Sequence, residues 1–124
     1  MGAYGVRLNR EPVPRVALAV GDRVEFDGEK RRVRWTVRAV SGDGRYAICT
    51  VPFNVRRTVL YTVLDFDSGV RGPDNYYGLG YETEEAIAAA LARFEEGDAE
   101  VSHRHDVYLH ITAVNGKPVE REAA

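Results

Sequence analysis

The sequence predicts a small α+β domain: a strongly bent antiparallel sheet of six to seven short strands, with one α-helix at about residues 84–96. Three observations carry this. β-Branched and aromatic runs recur between residues 20 and 66, separated by Gly, Asp and Pro turn signals. Only one stretch, rich in alanine, has helical spacing. The chain has 124 residues, the length of one domain, and its 44% hydrophobic and 29% charged content is that of an ordinary globular protein.

Residues 1–15 carry Gly2, Gly5, Pro12 and Pro14 without apolar periodicity and read as a flexible arm. The domain proper spans 16–120, and 121–124 should fray. Val24 and Phe26 share a face of the first strand, and Asp27-Gly28 signals a hairpin. In the second strand Val33, Trp35, Val37 and Ala39 alternate with Arg32, Arg34, Thr36 and Arg38, which puts arginines on one face and apolar groups on the other. Ser41-Gly42-Asp43-Gly44 is a turn. Tyr46–Val51 and Thr58–Phe66 are apolar on both faces, so both strands should be covered on both sides. Pro52 ends the third strand, since proline cannot donate a ladder hydrogen bond.

Residues 67–82 hold four glycines, Pro73, Asp74 and Asn75 with no period, and read as a long shaped loop carrying Tyr76, Tyr77 and Tyr81. Thr83 is a helix N-cap, with Glu84 and Glu85 in the first turn, where the helix dipole favours anions. Ile87, Ala90, Leu91 and Phe94 share one helical face, and Gly97 suits the residue just past the helix end. Short strands are expected at Glu100–His103 and Asp106–Val114. Asn115-Gly116 then turns the chain into an edge strand at Lys117–Glu120. The hairpin-linked order suggests an SH3-like barrel with the helix closing one end, or else an open antiparallel sheet with the helix across one face.

Composition excludes several classes. The one cysteine, Cys49, can make neither an internal disulfide nor a cysteine-based zinc site, and lies in an apolar run as a small hydrophobe. No stretch approaches the ~20 apolar residues of a membrane span. The first residues lack the cationic-then-apolar pattern of a secretory signal, and Val6 stands where a myristoylation motif wants Ser or Thr. A cytoplasmic location is the default. The net charge of −2 conceals two opposed halves: 12 Lys+Arg against 6 Asp+Glu in residues 1–60, and 5 against 13 in residues 61–124.

Four constellations bear on chemistry. A His-x-His pair, His103 and His105 beside Asp106, suits imidazole ligation of a transition metal. It partly resembles the His-x-His-x-Asp-His motif of metallo-β-lactamase-like hydrolases, but Asp106 follows His105 directly and Val107 stands where that motif has His. A polar turn with solvated histidines is the weightier reading. Asp65 and Asp67, with Asp74, could hold a divalent cation, but also suit strand-end and turn chemistry. Gly72–Gly80 could cradle an anion, but it lacks the Lys-Ser/Thr ending of a P-loop. Finally, Arg31, Arg32, Arg34, Arg38, Arg56 and Arg57, with Lys30 and Arg45, could converge into a basic stripe suited to phosphate backbones. Trp35 should face the core, and Tyr46 is a candidate for stacking. A solvated face, or arginines paired with the acidic half, is the competing account.

The stretch Tyr61-Thr62-Val63-Leu64-Asp65-Phe66-Asp67-Ser68-Gly69-Val70-Arg71-Gly72-Pro73-Asp74-Asn75 resembles one in small uncharacterised proteins of actinobacterial phages and prophages. The similarity continues through Gly80–Glu85 and Ala99–Arg104 and covers roughly residues 46–112. It implies an accessory phage-type protein expressed in a bacterial cytoplasm, with no catalytic residue to carry over. The sequence thus leads first to a small non-enzymatic interaction protein without a cofactor, monomeric or homodimeric. Its protein partner would be met by Tyr76, Tyr77, Tyr81, Arg71 and Asp74 of the 67–82 segment. The alternative is nucleic-acid binding through the arginine-rich face of residues 30–57. A metal-dependent enzyme using His103, His105 and Asp106 comes last.

Overall fold

Tyr46 to Thr50 are buried at every position, so this strand is covered on both faces, as its unbroken apolar run predicts. The computed structural model describes residues 15–27, 33–52, 59–77, 83–99, 101 and 107–119; for residues 73–77 and 107–108 it describes the backbone alone. Among these lie β1 (Arg23–Phe26), β2 (Trp35–Val40), β3 (Tyr46–Pro52), β4 (Val59–Asp65), β5 (Val70–Tyr77), α1 (Glu84–Glu95), β6 (Val107–Tyr108), β7 (Ile111–Val114) and β8 (Lys117–Pro118). They form one antiparallel sheet in the order β6-β5-β4-β3-β2-β1-β7-β8. The fold is therefore α+β, with eight strands among the described residues where six to seven were expected.

The chain ties one edge of that order, β6, to the next-to-last strand at the other side, β7. β6 pairs with β5, β7 pairs with β1, and only Leu109 and His110 separate β6 from β7. Leu109 N–H donates to the Gly69 carbonyl (2.9 Å), while the His110 carbonyl accepts from Asp27 N–H (2.9 Å). The expected single strand at 106–114 is thus divided: its first part forms the β6 edge, and its second part, β7, lies between β1 and β8 at the other side of the sheet. The sheet is rolled up, but the ladder is interrupted at this seam and does not close as a continuous barrel.

Rolling gives the sheet two cores. Val24, Phe26, Trp35, Val37, Ala47, Cys49, Leu64, Phe66, Leu109 and Ile111 fill the inside. Tyr46, Ile48 and Val63 face outward, under Ile87, Ala90, Leu91 and Phe94 of α1. Period-two alternation in β3 sends Ala47 and Cys49 to one core and Tyr46 and Ile48 to the other. Tyr46 and Phe94 pack with ring centres 5.5 Å apart. Burial pushes the Cys49 thiol up to about 12, so it stays protonated and inert. The helix ends form as expected: Thr83 Oγ1 accepts from Ala86 N–H (3.0 Å), and Gly97 takes the left-handed conformation past the last turn (φ 83°). At Asn115-Gly116 both residues have positive φ (52° and 82°), the requirement of a type I′ hairpin.

Three expectations need correction. Residues 70–77 are strand, not loop. Around Pro73 the pairing with β4 slips from Val63↔Gly72 to Tyr61↔Tyr76, so a bulge absorbs the residues that cannot continue a regular ladder. Ala39 does not join Val33, Trp35 and Val37. A bulge at Arg38 puts Ala39 opposite Ile48 on the helix side and returns Val40 to the inner core. The strand expected at Glu100–His103 is not seen at Val101, which is buried beneath the helix layer without strand pairing; its other positions lie outside the described residues.

Candidate nucleic-acid interface

In an antiparallel meander, successive connections leave from alternate ends. The β1–β2 and β3–β4 connections therefore leave from one end of the sheet, and the β2–β3 and β4–β5 turns from the other. Register confirms the placement: Val24 lies opposite Trp35, Thr36 opposite Thr50, and Pro52 opposite Val59. The sequence that links these strand ends, residues 27–34 and 53–58, contains six Lys/Arg against two Asp/Glu.

Arg34 and Arg38 project from the outward face of this meander, as alternation with the buried Trp35 and Val37 dictates. Arg34 is half exposed, with Nε 3.6 Å from Glu25 Oε2 on the neighbouring strand. Arg38 stands at the bulge and donates to Thr50 Oγ1 at 3.4 Å. Arg23, exposed on β1, lies opposite Thr36 and adds a third cation to the same face. Sequence reasoning passed over Arg23; its alternation with Val24 and Phe26 was the available signal. Arg31, Arg32, Arg56 and Arg57 lie outside the described residues, although the strand ends that carry their connections do not. Tyr46 and Trp35 offer no stacking platform, being 8% and 0% exposed.

The opposite end is charge-paired. Arg45 grips Asp65 with two hydrogen bonds, Nε to Oδ1 at 2.9 Å and an NH2 nitrogen to Oδ2 at 3.1 Å. The Asp67 carboxylate lies 3.5 Å from Arg45 Nε and accepts from Arg15. Arg15 also donates to the Asp43 carbonyl at 2.8 Å. Asp65 Oδ1 accepts from the Asp67 N–H as well (3.0 Å). Burial pushes the Asp65 carboxyl up, but the bonds from Arg45 and the turn outweigh it and hold its pKa below the ordinary value. The same pairing raises Arg45. Asp43 is also lowered, by the Arg45 N–H and the Ser41 hydroxyl. Asp65 and Asp67 thus organise a turn and neutralise arginines, which removes the divalent-cation reading of that pair. Asp74 contributes only backbone to the described structure.

The residues expected to meet a protein partner scatter. Arg71 is buried (2% exposed), its guanidinium carbon 4.1 Å from the Phe26 ring centre and 5.9 Å from that of Trp35. It is a cation stacked inside the rolled sheet, not a surface contact. The backbones of Tyr76 and Tyr77 pair with Tyr61 and Leu60 at the basic end. Tyr81 lies outside the described residues, as do His103, His105 and Asp106. No group of metal-ligating side chains occurs among the described residues. No described helix is long and apolar enough to cross a membrane. No family model, curated protein or solved structure matches the chain.

Proposed function

We propose that the protein is a non-enzymatic nucleic-acid-binding module that holds phosphate backbones at the basic end of its sheet. One observation carries this reading. Phe26 and Trp35, and Pro52 and Val59, end their strands on the side of the sheet where Arg34 projects, and the sequence between these strands carries Lys30, Arg31, Arg32, Arg56 and Arg57. Acids at the other end are already engaged by Arg15 and Arg45, so the two ends differ in the sign of the charge that their sequence carries in excess. Phosphate contacts of this kind give affinity without base selection, and affinity falls steeply with salt because binding releases counterions. The protein-docking reading of residues 67–82 loses its main support, since 70–77 are strand and Arg71 is buried. The resemblance over residues 46–112 supports placing this activity in an accessory phage-type protein of a bacterial cytoplasm.

Fluorescence anisotropy with a labelled 20-nucleotide strand and its duplex tests the proposal at 50 and 200 mM salt. Binding should weaken at least about tenfold between the two concentrations, and Arg31→Glu/Arg32→Glu/Arg34→Glu should weaken it further at low salt. No binding at 50 mM salt removes the reading. If Tyr76→Ala/Tyr77→Ala abolishes recovery of a protein partner from bacterial lysate, and oligonucleotide binding is absent, the protein-docking reading replaces it.

A further inference from the structure

The segment before β1 is fastened in an unusual way. Val16 and Leu18 point inward and pack on the inner core, while Ala17 faces out. No backbone hydrogen bond joins residues 16–18 to another described segment. At its far end the segment is pinned by a turn in which Asp22 N–H donates to the Ala19 carbonyl (3.0 Å) and Asp22 Oδ2 accepts from Ala19 N–H (2.9 Å). Gly21 supports that turn with φ 99°, a conformation costly for other residues. At the near end Arg15 reaches across, to the Asp43 carbonyl on the β2–β3 turn and to the Asp67 carboxylate on the β4–β5 turn. Beneath lies a cleft of about 450 Å³ whose lining includes Val16, Leu18, Val40, Ala47 and Phe66.

We infer that residues 15–19 form a strap across this mouth of the inner core, latched by Arg15, and that loss of the latch opens the cleft while the sheet stays intact. Two features make the strap separable from the fold. Its side chains are only partly buried, whereas Ala47 and Phe66 beneath it are 1% and 4% exposed and held by strand pairing or by the Phe66 N–H bond to the Arg45 carbonyl. Its latch is about half exposed on both sides, 45% for Arg15 and 49% for Asp67, so dissolved ions screen it. The neighbouring Arg45–Asp65 pair keeps Asp65 at 6% exposure and stays closed when the outer pair is screened. Among the described residues, the strap is therefore a salt-responsive flap latched at its near end by one guanidinium.

Methyl NMR on the full chain tests this. In the wild type, the cross-peaks joining the Val16 and Leu18 methyls to the inner core should weaken at least about twofold in 1 M relative to 50 mM sodium chloride, with those among Val37 and Leu64 unchanged. Arg15→Ala and Asp67→Asn should each give that weakening at 50 mM salt. Arg15→Lys, which keeps the charge but cannot span both acceptors, should fall between. Equal strap cross-peaks at both salt concentrations in the wild type overturn the inference. So does an equal weakening at Val37 and Leu64, which would mean that the strap opens only with the whole fold.

Discussion

The two ends of the β1–β5 meander treat charge in opposite ways. At the β2–β3 and β4–β5 turns, Arg15 and Arg45 meet Asp43, Asp65 and Asp67 within hydrogen-bond reach, and the carboxylates are tied into the turns. At the β1–β2 and β3–β4 connections, six Lys/Arg accompany two Asp/Glu, and the one described ion pair on the outer face, Arg34 with Glu25, is long at 3.6 Å. The same residue type is used for cohesion at one end and offered outward at the other. The difference lies in acceptors: Asp65 and Asp67 sit where β4 delivers them to Arg45, whereas among the described residues β1 brings Glu25 to Arg34 and β3 brings the Thr50 hydroxyl to Arg38. Charge near an arginine in sequence says little. Charge across the ladder decides whether it is spent internally.

The sharpest way to break the comparison is to remove an acid from the cohesive end. Asp65→Ala leaves Arg45 half-buried without its two-point partner and strips the turn of its acceptor. We expect a loss of about 2 kcal/mol in urea denaturation, below the range for fully buried pairs because Arg45 is 37% exposed. A loss below about 0.5 kcal/mol would make this end no more cohesive than the other. The pH dependence gives the same information without truncation. Because the folded pKa of Asp65 lies below its ordinary value, its contribution is complete above about pH 4 and fades as pH falls through the folded value. The stability gap between wild type and Asp65→Asn should therefore hold from pH 7 to about 5 and narrow below about 4.

At the basic end the expectation reverses. Arg31→Glu/Arg32→Glu/Arg34→Glu should weaken oligonucleotide binding at least about tenfold, roughly 1.4 kcal/mol, while thermal stability changes little. A large stability loss with binding intact would place cohesion at both ends. The smallest effect belongs to Arg34 and Glu25. A double-mutant cycle on that half-exposed pair should give a coupling under about 1 kcal/mol. A coupling as large as that of Arg45 with Asp65 would erase the contrast.

Much of this was legible in the sequence. The alternation of Trp35 and Val37 with Arg34 and Thr36, the Thr83 cap, the Gly97 terminus and the Asn115-Gly116 hairpin rest on local rules, and each stands in the structure. The Gly- and Tyr-rich segment did not read correctly. Glycine and proline mark breaks in local propensity, but β4 supplies a template that β5 follows on both sides of a bulge at Pro73. Ala39 misled for a related reason: a bulge adds one residue to a strand and turns every later side chain to the other face. The sequence offered arginines paired with the acidic half as one account, and Arg15 and Arg45 do pair with Asp65 and Asp67; which residues pair was hidden, because they are joined by register across three segments and not by spacing within one.

The sequence alone determined the class of fold, the helix at Glu84–Glu95, the inward residues of β2 before its bulge and the uneven division of charge. These follow from periods of 2 and 3.6 residues and from turn chemistry, which act over a few positions. The tertiary structure decided the rest: the seam at Leu109–His110 that ties the β6 edge to β7, the burial of Arg71 against Phe26, and which arginines find acids. Those outcomes depend on how far the sheet rolls and where its bulges shift the register. Both are set by the fit of side chains from distant strands into one enclosed core.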